Sequence, residues 1–147
     1  EALLSAIAPC GLLLAHACPD DRLERFADLD EVELVVGAND AYHRHLLGAF
    51  TRPYGQPEAV TRRLLEKVSA SALPVRALVH GHERDPAGWY SEHPAQLSPV
   101  IFGAPRAARR YLEVDLGAEY ADARALRDGF ELRRIHEVHG EPGGDPG

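Results

Sequence analysis

The sequence predicts an α/β fold: a mixed β-sheet layer with flanking helices, followed by an antiparallel meander toward the carboxyl end. Three observations carry this prediction. Leu12-Leu13-Leu14-Ala15 is a continuous apolar run of strand length, as a buried strand requires. Val60, Leu64, Leu65 and Val68 recur at helical spacing after Pro57, and Val75, Ala77 and Val79 then alternate into His80. Beyond residue 88, short runs of aromatic and β-branched residues stand between proline, glycine and arginine clusters.

Taken in order, Glu1 to Ile7 reads as the end of a helix that Pro9-Cys10-Gly11 stops, and Leu12 to His16 as the first strand. Pro19-Asp20-Asp21 offers a proline and two N-cap candidates before a helical Arg22-Leu23-Glu24-Arg25-Phe26. Val32, Leu34, Val35 and Val36 suit a strand, Val36-Gly37-Ala38-Asn39-Asp40 a turn, and Ala41 to Phe50 a helix. The helix from Pro57 has Glu58 where its dipole favours an anion, with Arg62, Arg63, Glu66 and Lys67 turned outward. Trp89-Tyr90, Val100-Ile101-Phe102, Tyr111 to Leu116 and Glu131 to Val138 are the later strand candidates. Residues 1–139 form the expected domain, and 140–147 a polar, disordered tail.

At 147 residues the chain suits one domain. Its 45% apolar and 27% charged residues are those of an ordinary globular protein. A formal charge of −7 argues against duplex nucleic acid as a partner, because such binders present a basic stripe. The apolar run at Leu12 to Ala15 is too short to span a bilayer, and no basic segment before it marks a secretory signal. Cys10 and Cys18 read as reduced, partly buried thiols, and the cytoplasm is the expected compartment. The chain contains no methionine and begins at Glu1, which leads us to expect that sequence upstream has been lost.

The chemistry concentrates at two strand ends. His16 and His82 each follow an apolar strand, where open α/β sheets place ligands, and imidazole is a common ligand for transition metals. The order of segments resembles calcineurin-like metallophosphoesterases, in the phosphoprotein-phosphatase branch. Leu12 to Asp21 is similar to the strand ending in a metal-binding histidine. Val75 to Glu83 resembles that branch's later Arg-Ala-His-Gln or Arg-Gly-His-Glu strand. Gly88-Trp89-Tyr90 looks like its Asp-Gly-Tyr turn, and Val100 to Pro105 like its Phe-Ser-Ala-Pro-Asn strand and loop. The resemblance covers about residues 10–116 and is to the carboxyl-terminal half of the family's domain, hence to half of its β-sandwich.

That resemblance implies a phosphoric monoester hydrolase, on a small molecule or a phosphoprotein, using two divalent metals (Mn, Fe or Zn). It implies that His16 and His82 bind the second metal and that Arg52, ahead of Gly55 and the Pro57 helix, grips the phosphate. His80 replaces an arginine of the branch, so its cationic contact with phosphate or the transition state would depend on pH. Ala17 replaces a usual glycine and Arg106 a usual asparagine, and Gly81-His82-Glu83-Arg84 lacks the second histidine of phosphodiesterase-like branches. The family's first three motifs, which carry the bridging aspartate and most ligands of the first metal, have no match. The chain alone is therefore expected to be nearly inactive. Two rivals are a non-catalytic binding or scaffold module keeping the fold, and a single-metal hydrolase using His16, His82 and a carboxylate. The edge of a half-domain's sheet would favour self-association. His43, His45, His136 and His139 read as solvated, and Asp20-Asp21 as helix caps.

Overall fold

The computed structural model describes residues 3–70 and 73–135. Five strands form one mixed sheet: β1 (Ser5–Ala8), β2 (Leu12–Ala15), β3 (Ala77–His80), β4 (Trp89–Tyr90) and β5 (Gln96–Pro99). Their spatial order is β1-β2-β3-β5-β4, with β2, β3 and β5 mutually parallel and the two edge strands antiparallel to their neighbours. Two helices, α1 (Ala41–Thr51) and α2 (Glu58–Ser69), lie in the crossover from β2 to β3. A separate antiparallel pair, β6 (Arg110–Leu112) and β7 (Leu132–Arg134), completes the layers.

β2 and β3 read as continuous apolar runs because both faces of the sheet are covered. Leu13 and Leu78 point to one side and pack with Leu46 and Phe50 of α1 and Leu64, Leu65 and Val68 of α2. Leu12, Ala77, Val79 and Leu97 point to the other and pack with Tyr120, Ala123, Leu126 and Leu132. The alternation is the period-two geometry of a strand. At the far end of this second layer the buried Arg110 clamps Asp128, with Nε 2.7 Å from Oδ1 and Nη2 3.0 Å from Oδ2. That guanidinium holds the Asp128 carboxyl below the usual carboxylate range.

Several expectations need correction. Residues Ser5–Ala8 are not a helix end but the edge strand β1, and Pro9 to Gly11 is the loop of its hairpin with β2. Pro9 presets the first bend and Gly11 takes φ +90°, the left-handed residue that closes a three-residue hairpin loop. Residues 22–26 form no α-helix; a 3-10 helix over Phe26–Glu31 follows instead. No strand forms at Val32 to Val36, where Asn39 ties the chain by bonds with Glu33 and Val35. Val100 to Phe102 is loop, the strand being one step earlier at β5. The expected meander is divided, since β5 runs parallel beside β3 and β6–β7 stands apart. Residues 136–147, with His136, His139 and the expected tail, lie outside the described residues. Among the described residues no helix is long and apolar enough to cross a membrane.

Candidate functional site at the carboxyl ends of the central strands

Ala15 of β2 pairs with His80 of β3, and the next step is a hydrogen bond from Gly81 N–H to the His16 carbonyl at 3.0 Å. The two strand ends are thus locked side by side. A side chain at Gly81 would bring its Cβ to 3.1 Å from that same carbonyl, so this close approach suits glycine. His82 follows with φ 70°, the one non-glycine residue among those described with a left-handed backbone. Such a conformation costs about 1–3 kcal/mol and persists where the surroundings over-determine it, commonly at binding and catalytic sites.

The result brings together what the chain separates. The rings of His16 and His82, both exposed, have centroids 5.3 Å apart and an interplanar angle of 55°. Tyr54 packs edge-on against His82 at 5.2 Å. The loop carrying Tyr54 is pinned from beneath: Gly55 N–H donates to Glu83 Oε1 at 2.7 Å, and Cys18 N–H to Pro53 carbonyl at 3.4 Å. A Cβ on Gly55 would lie 3.0 Å from Gln96 Nε2, so the loop lies close upon β5. His16, Tyr54, His82, Glu83, Arg84 and Pro99 to Ala104 line an open cleft of about 900 Å³.

His80 does not reach this cleft. It is 2% exposed, facing the α1–α2 side of the sheet beside Leu78. Its Nδ1 lies 2.8 Å from the Gly81 carbonyl, which fixes the proton on Nδ1 because a carbonyl only accepts. Nε2 is buried without a partner. Burial lowers the ring's pKa to about 4, so at neutral pH it is uncharged. Contact with phosphate is therefore not a role its position offers; it supports the turn that carries His82. Arg52 is the residue just past α1, is exposed, and is not among the cleft-lining side chains. The arginine that does line the cleft is Arg84. Neither Arg84 nor Tyr54 was legible in the sequence, because an arginine after His-Glu and a tyrosine after Arg-Pro carry no periodic or motif signal.

Among the described residues, His43, His45 and His93 have ordinary partners. Asp40 caps the start of α1, accepting from the His43 backbone N–H at 2.8 Å, and His43 Nδ1 lies 3.0 Å from the same Asp40 Oδ1. Those bonds hold the Asp40 carboxyl below its ordinary pKa. His45 Nε2 lies 2.9 Å from Asp20 Oδ2, and Asp21 accepts from Arg63 Nε at 2.5 Å. Asp20 and Asp21 therefore tie the strand end to α1 and α2 and cap no helix at residue 22.

Comparisons with protein-family models, with curated proteins and with solved structures find no match for this chain. The site is left to its own chemistry. With metal–nitrogen bonds of about 2.0–2.1 Å and roughly 1.1 Å more to each ring centre, two imidazoles at a tetrahedral angle stand roughly 5 Å apart. The observed separation of 5.3 Å suits that arrangement. Two donors are fewer than the three protein ligands of a catalytic zinc, and among the described residues no group of three or more His, Cys, Asp or Glu is placed to hold an ion. Two imidazoles by themselves do not complete a metal centre.

Proposed function

We propose that this chain is the carboxyl-terminal part of a metal-dependent phosphoric monoester hydrolase of the metallophosphoesterase type, in which His16 and His82 ligate one of two divalent ions. The observation that carries the reading is the meeting of these two imidazoles across parallel strands, in a cleft that also holds an arginine. The strained backbone at His82, two residues beyond β3, supports it, since such conformations concentrate at binding and catalytic sites. In the intact family arrangement, metals supply a hydroxide near neutral pH and polarise the phosphoryl group. This chain's residues contribute the imidazole pair and a cleft shaped for the substrate. The remaining ligands belong to motifs that this sequence does not match, so the chain by itself should hydrolyse p-nitrophenyl phosphate at close to the background rate. A cytoplasmic location belongs to the reading, and the two unpaired thiols suit it.

The decisive measurement is binding of Zn²⁺ or Mn²⁺ to the purified chain by calorimetry, without phosphate. Changing a residue behind a metal ligand costs about 10–100-fold in affinity, so losing a ligand should cost at least as much. His16→Ala and His82→Ala should each weaken binding at least tenfold, and the double variant no further. Unchanged binding in either single variant would end the reading.

A further inference from the structure

The cleft gathers two unlike kinds of side chain. Arg84 is exposed and has no ion-pair partner among the described residues. Its stem is nonetheless held. A Cβ on Gly103 would fall 2.7 Å from Arg84 Cγ, 2.7 Å from the Glu83 carbonyl oxygen and 2.8 Å from Arg84 Cα. The 100–104 loop thus lies directly on the Arg84 main chain and stem, an approach open only to glycine at position 103. That contact fixes what flanks Gly103. Phe102 is 92% exposed, Ile101 sits beside it, and Tyr54 faces the same space while packing on His82.

An arginine and an exposed aromatic that line one concave surface match a particular kind of ligand. Its anionic end meets the cation, and its apolar end covers the aromatic. A sugar or simple alkyl phosphate would use the first and leave the second in water. Resting on the phosphohydrolase reading above, we propose that the cleft selects phosphomonoesters of aromatic alcohols. Arg84 grips the phosphate, and Phe102, with Ile101 and Tyr54, packs on the ring of the leaving group. This makes Arg84, rather than Arg52, the phosphate-binding residue, and Phe102 the residue that sets the leaving-group preference.

The test is a titration of the whole chain in chelator-treated buffer, by NMR, with phenyl phosphate, ethyl phosphate and inorganic phosphate. Phenyl phosphate should bind about tenfold more tightly than ethyl phosphate, the gain expected from one aromatic contact with its buried area. Arg84→Ala should weaken both esters about tenfold or more, as loss of a charged hydrogen bond does. Phe102→Ala should erase the phenyl-over-ethyl preference and leave ethyl phosphate binding as it was. Equal affinity of the unaltered chain for the two esters would overturn the proposal, and needs no variant to fold. So would an Arg84→Ala chain, folded by circular dichroism, that binds phenyl phosphate within twofold of the parent. Because the metal titration contains no phosphate and this one contains no metal, a failure here leaves the His16–His82 result standing, and the reverse.

Discussion

Replacing Gly88 with alanine should destabilise the protein by on the order of 3–5 kcal/mol, a large share of the roughly 5–15 kcal/mol that holds a domain of this kind together. Two independent effects add at this position. Gly88 has φ +84°, a backbone state that L-residues occupy at a cost of about 1–2 kcal/mol. A Cβ there would also sit 1.5 Å from the Ala108 carbonyl oxygen and 2.6 Å from its carbon, an overlap that only movement of the main chain can relieve. The displaced segment leads into β6 and Arg110, and Gly88 itself accepts from Val100 N–H at 2.8 Å. Gly129 provides the control. It has φ +82° but open space where a Cβ would go, so Gly129→Ala should cost only about 1 kcal/mol. Urea denaturation of the two variants against the parent separates collision from conformation. Equal midpoints for the two would show that the chain around Ala108 gives way freely.

A second large effect is stability lost in acid through His80. Its pKa lies at about 4 in the folded chain against 6.5 when free, because burial disfavours the imidazolium. Above pH 6.5 neither state carries the proton and the group is silent. Between pH 6.5 and about 4 the unfolded chain takes up a proton that the folded one refuses, so stability falls as pH falls. The shift corresponds to about 3 kcal/mol, fully lost by the time the folded ring titrates. Unfolding free energies measured from pH 7 to 4.5 for the parent and for His80→Gln should diverge on this limb, the variant's curve being flatter. Parallel curves would mean that His80 reaches water in the folded state. The carboxylates of Asp21, Asp40 and Asp128, all held below their ordinary pKa, act at lower pH and in both proteins alike.

The parts of the fold legible in the sequence are those where local pattern and tertiary environment agree. β2 and β3 are apolar throughout because both faces are buried, and α2 shows a stripe that packs on the sheet. Where the two disagree, local pattern misleads. Ala2 to Ile7 contains strong helix formers, yet pairing with β2 makes Ser5–Ala8 a strand. β5 carries Gln96 and Ser98 at fully buried positions and ends in proline, so nothing in its letters announces a central strand. The neighbouring Val100-Ile101-Phe102 has the composition of one and is a cleft wall instead. In the site, the histidines could be anticipated because each follows closely on an apolar strand. The cleft's arginine and tyrosine could not, since loop packing through Gly55 and Gly103 decides where they stand.

The two thiols give the molecule a built-in recorder of its own opening. Cys10 and Cys18 have no exposed surface, and Cys18 donates to Gln96 Oε1 at 2.9 Å. Burial raises the pKa of the first and pushes that of the second up to about 11. Alkylating reagents attack the thiolate and must reach it. At neutral pH the closed protein supplies neither condition, so iodoacetamide tags accumulate only on chains that have come apart around β2. Mass spectrometry of the labelled protein then reports how often the chain opens beside His16.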